Sequence, residues 1–139
     1  MRKLLALALI AGLLGCQSAL ASDADVLARS QSVCETFLDI YDAQPAPAYR
    51  EIARYLNDEL KEKFSAGEYS RFRANLAKDL GEMRGVRFVA FERFDQIDRL
   101  TYFATFEKEK VVLLSFGFTK DGRLEHFLLT PQKQEAQSK

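Results

Sequence analysis

His126 is the single histidine among 139 residues. Histidine and a carboxylate in an apolar cleft could perform acid–base chemistry, since burial and pairing tune their ionisation. The second half of the chain is rich in β-forming residues. One alternation parity there holds Glu92, Tyr102, Ser115 and His126 among apolar neighbours, and these four are the candidate pocket. If Glu92, Tyr102 and His126 converged in one cavity, general acid–base chemistry of the isomerase or hydratase kind would be open to them. They come from separate strands, so convergence is a condition, and the sequence alone assigns no catalytic residue. A satisfied or surface histidine is the plainer reading. Cys34 lies on an apolar stripe with no partner nearby in sequence and reads as a small core residue. One histidine and scattered carboxylates give no metal-ligand spacing. Neither a glycine-rich phosphate loop nor a serine-centred nucleophile elbow is present, so no cofactor is expected. Asp39 and Asp42, at the end of the first helical stripe, read as solvated.

The N-terminus carries chemistry of another kind. Arg2 and Lys3 precede an apolar run from Leu4 to Leu14. Eleven residues are too few for a bilayer, which takes about 20, but suit the core of a signal peptide. Leu13-Leu14-Gly15-Cys16 follows. It resembles the lipobox of bacterial lipoproteins, which implies cleavage before Cys16, a lipid on that residue and membrane attachment by the anchor alone. Gln17 beside it implies outer-membrane sorting in a Gram-negative-type envelope. The alternative is cleavage after Ala19-Leu20-Ala21, which would leave a soluble periplasmic protein. Residues 1–21 are thus read as an export signal. The precursor has 20 basic and 20 acidic residues. Without Arg2 and Lys3 the balance is 18 to 20, a net charge of −2, and no basic stripe is left for nucleic acid. A lipidated or discarded Cys16 leaves Cys34 alone, so no disulfide is expected within the mature chain.

The elements that position these residues can be read from periodicity. Ser22 to Asp25 is a capping-box start. Val26, Ser30, Val33, Phe37 and Ile40 then repeat at helical spacing until Pro45 and Pro47. A second helix is predicted from about Ala48 to Phe64. A third starts at the capping box Ser65 to Glu68 and ends at Gly81 or Gly85. Four strands follow, over 86–94, 100–106, 111–119 and 123–129, with Lys120-Asp121-Gly122 as a hairpin turn. Pro131 closes the single domain at 22–131, and residues 132–139 read as a disordered tail. The expected fold is α+β, with three N-terminal helices packed on a four-stranded antiparallel curved sheet.

Eight of the eleven phenylalanines fall in the four strands. A sheet covered on one side should be polar on the other, yet both parities look apolar. Either the sheet curls around its core or its outer face meets a partner. The parity opposite to the candidate pocket supplies the candidate interface, Phe91, Phe103, Phe116, Phe118 and Phe127. Alternation alone leaves open which parity meets the helices.

The long first helix with Phe37-Leu38 near its end, the Ser65–Gly85 segment and the strand pair around Asp121-Gly122 together resemble the nuclear-transport-factor-2-like, or cystatin-like, α+β roll. Small exported bacterial lipoproteins of unknown function carry this roll. The likeness spans about residues 25–130 and is architectural, so no catalytic residue comes with it. It implies a pocket between sheet and helices, and a homodimer through the sheet. The resulting expectation is a non-catalytic, lipid-anchored envelope protein that binds a small apolar ligand or a protein partner. The alternatives are an isomerase- or hydratase-type enzyme, and an immunity or inhibitor protein directed at an envelope enzyme.

Overall fold

The computed structural model describes residues 22–42 and 44–133. The export segment with Cys16 and the tail from residue 134 lie outside the described residues. Helix α1 runs Asp23–Asp42. Its start follows the expected chemistry. The Ser22 hydroxyl accepts the Asp25 amide at 3.2 Å and donates to the Asp25 carboxylate at 2.8 Å. Ser30, Cys34, Phe37, Ile40 and Tyr41 form its buried face, at the spacing that one side of a helix requires.

The second predicted helix is two. Helix α2 spans Tyr49–Ala53 and α3 spans Asp58–Lys63. Between them the chain turns out to meet the sheet. Leu56 forms a parallel bridge with Leu124. The Asn57 amide donates to the Leu124 carbonyl and the Leu124 amide to the Tyr55 carbonyl, both at 2.8 Å. Two backbone hydrogen bonds and the full burial of Leu56 replace the bonds a continuous helix would make. The side chain of Asn57 then caps α3 by accepting the Leu60 amide at 2.9 Å. Helix α4 spans Ala66–Asp79, and Ser65 caps it by accepting the Glu68 amide at 3.3 Å. Gly81 ends the helical half at φ +73°, and an added Cβ there would lie 2.9 Å from Glu107 Cβ. Both facts call for glycine.

Strands β1 (Met83–Arg93), β2 (Ile97–Phe106), β3 (Val112–Thr119) and β4 (Leu124–Pro131) form one antiparallel sheet in the order β1-β2-β3-β4. The architecture is α+β, a four-stranded antiparallel meander with four helices rather than three. Irregularities interrupt the register at Met83/Gly85 and Phe88/Ala90 in β1, and opposite Gly117/Phe118, where Glu125 is the extra residue in β4. A bulge shifts alternation by one residue, and these bulges decide the faces. The helix-facing side carries Leu100, Tyr102, Ala104 and Phe106 from β2 with Val112, Leu114, Phe116 and Phe118 from β3. Leu124, Phe127 and Leu129 join them from β4. Phe37 of α1 packs edge-on to Phe116 and tilted against Phe127, and Phe127 also meets Phe64 and Phe72.

The candidate interface is therefore corrected. Phe116 and Phe118 are fully buried, and Phe91 and Phe127 pack against the core. Only Phe103 belongs to the outer face, where the Arg87 guanidinium lies over its ring. That face otherwise mixes short polar side chains, including Thr101, Ser115 and Thr130, with Leu113 and the exposed Leu128. The two strand parities were each a mixture of inside and outside, which made both look apolar.

Candidate functional site

The four candidate pocket residues are divided by the same register. Tyr102 points inward and is buried. Burial pushes both its hydroxyl and the Cys34 thiol above their ordinary pKa values. The thiol is held protonated, the opposite of what a nucleophilic cysteine needs. Glu92, Ser115 and His126 lie on the outer face. Glu92 and His126 share one cross-strand row, Glu92–Arg99–Gly117–His126. Three strand spacings separate them, roughly 14 Å. Glu92 instead accepts from Arg99 Nη2 at 2.8 Å. The His126 ring covers Gly117, where a Cβ would sit 2.1 Å from its Cε1. Ser115 stands in the next row, between Thr101 and Leu128. The convergence that acid–base catalysis would require is not formed.

The structure builds a different polar cluster, around Asp98, which falls between the first two predicted strands. Asp98 is instead the second residue of β2, on the inner parity with Leu100 and Tyr102, and is only 3% exposed. It faces Arg93 across the β1–β2 pair. Its carboxylate accepts from Arg93 Nε at 3.0 Å and from Lys120 Nζ at 2.7 Å. Arg93 Nη1 also reaches Asp23 at 2.7 Å. The chain Asp23–Arg93–Asp98–Lys120 thus ties the start of α1 to both hairpins. Burial alone would raise the Asp98 carboxyl, but the hydrogen bonds from Lys120 and Arg93 outweigh it and hold the group below its usual range. The signal in the sequence was a carboxylate at the head of an otherwise apolar alternation, Asp98-Leu100-Tyr102-Ala104-Phe106.

A cleft of about 290 Å³ opens over this cluster, between the first half of α1 and the β3–β4 hairpin. Arg29, Ser30 and Val33 line one wall, and Phe118 and Lys120 the other. The interior itself is filled by the aromatic core, and none of Glu92, Tyr102, Ser115 or His126 lines this cleft. Among the described residues no group of three His, Cys, Asp or Glu side chains is placed to hold a metal ion, and no helix is long and apolar enough to cross a membrane.

A second feature lies at the sheet's outermost strand. Val86 and Phe88 pair with Ala104 and Tyr102 and so belong to the helix-facing side. They are nevertheless 40% and 39% exposed. Val89, the extra residue at the second bulge, is exposed as well. No family model, no curated protein and no solved structure matches this chain.

Proposed function

We propose that this chain is an exported protein of the bacterial cell envelope, a cystatin-like roll held at the outer membrane by a lipid on Cys16. In this reading it acts by binding another protein along β1 rather than by catalysis. The observation that carries the binding mode is the exposure of Val86 and Phe88 on a face meant for burial. Large apolar side chains left bare beside an open strand edge favour a partner that covers them. Support for the export and anchor comes from the N-terminal pattern of Arg2, Lys3, the apolar run and Cys16.

A photo-crosslinking residue placed at Phe88 in the full chain tests the binding mode. The expected product is a discrete adduct, with a second copy or with another envelope protein, that Phe88→Asp prevents. Light scattering separates the two occupants, because a homodimer doubles the mass. A folded protein that stays monomeric and forms no adduct at Phe88 or Val86 would remove this reading. Cys16→Ala tests the anchor, with loss of a lipid mass shift and release from the membrane fraction as the expected result.

A further inference from the structure

From the cleft over Asp98 we infer a binding site for a small organic monocarboxylate with an apolar body. The inference does not depend on the β1 reading. Ser30 lies on the buried face of α1 and is only 6% exposed. Its hydroxyl makes no side-chain hydrogen bond to any described residue. It is not sealed either, because Tyr41 Oη is the one fully enclosed side-chain polar atom without a partner among the described residues. Ser30 lines the cleft, so its free hydroxyl opens there and can donate to a ligand.

The charges select the ligand. Arg29 lines the same cleft, and its guanidinium has no ion-pair partner among the described residues. Its planar fork suits a carboxylate. Lys120 gives one hydrogen bond to Asp98 and has two further N–H groups to offer. Asp98 is already matched by Arg93 and Lys120, so it does not repel one negative charge. Asp121, also at the cleft, opposes a second negative charge, which disfavours a phosphate. Val26, Val33 and Phe118 supply an apolar wall for the ligand's body. At roughly 30 Å³ per heavy atom, by analogy with water in the liquid, 290 Å³ holds a molecule of hexanoate size.

The test is a titration of the isotope-labelled full chain, purified from the envelope fraction, followed by the amide signals of Ser30, Val33 and Lys120. The probes are hexanoate, hexanol and hexyl phosphate. Hexanoate is expected to saturate these signals with a Kd on the order of 1 mM, a reasonable affinity for eight heavy atoms. Arg29→Gln should weaken it about tenfold and Ser30→Ala about threefold, as loss of a charged and of a neutral hydrogen bond predicts. Hexanol should not respond to Arg29→Gln. Arg29 is exposed, and a dispersed spectrum checks that each variant is folded. The inference is overturned if hexanoate gives no saturable shift, if hexanol binds as well, if hexyl phosphate binds more tightly, or if both variants bind hexanoate unchanged.

Discussion

The two edges of the sheet are finished differently. At β4 the helix layer closes down. Leu124 is fully buried under the α2–α3 junction, and Phe127 is enclosed by Phe37, Phe64 and Phe72. At β1 the same face of the same sheet carries Val86 and Phe88 into solvent. Both edges are built from apolar strands, so composition does not explain the contrast. The α2–α3 junction bonds to Leu124 at the β4 edge, whereas Val86 and Phe88 at the β1 edge stay exposed. An uncovered edge next to a well-packed core marks where stability and binding have been separated.

That separation has measurable consequences. Phe37→Ala empties the centre of the covered region and should cost about 3–5 kcal/mol in denaturant unfolding. Phe88→Ala, on the bare edge, should cost less than about 1 kcal/mol. Equal costs would mean that β1 is covered after all. Asp98→Asn weakens the clamp that Arg93 and Lys120 close on a buried carboxylate and should cost about 2 kcal/mol. The wild type should also show an acid dependence that the variant lacks. The folded-state pKa of Asp98 is depressed, so its contribution is present above the unfolded value of about 3.9 and disappears as pH falls below it. Parallel acid titrations of stability that coincide for wild type and variant would rule out this role. Two glycines separate in the same way. Gly117→Ala should cost about 1 kcal/mol because the His126 ring must move, and His126→Ala should restore most of it. Gly85→Ala, in β1, meets nothing within 4 Å and should change stability by no more than about 0.5 kcal/mol. Thermal or chemical denaturation of the three variants ranks them directly.

Local backbone chemistry was readable along the chain. Ser22 and Ser65 announced helix starts because a hydroxyl can satisfy an orphan amide three residues on. Gly122, at φ +87°, sits in the predicted hairpin turn. The meander order followed from four strands joined by short connections. The division of the second predicted helix was harder to see, although Asn57 before Asp58 and Glu59 is a capping signal. Its decisive partner, Leu124, is remote in sequence.

The limit is set by range. Capping, turn geometry and apolar periodicity depend on neighbours within a few residues, and they determine the order of elements and the stripe that α1 buries. The side of the sheet on which a residue falls depends on register and bulges across three strand pairs. A one-residue shift in a strand exchanges core for surface, and so Phe116 and Tyr102 went inside while Glu92 and His126 went outside. The Asp98 cluster is likewise a tertiary product. Asp23, Arg93, Asp98 and Lys120 span almost a hundred residues of sequence, and only packing α1 over two hairpins brings their charges into contact.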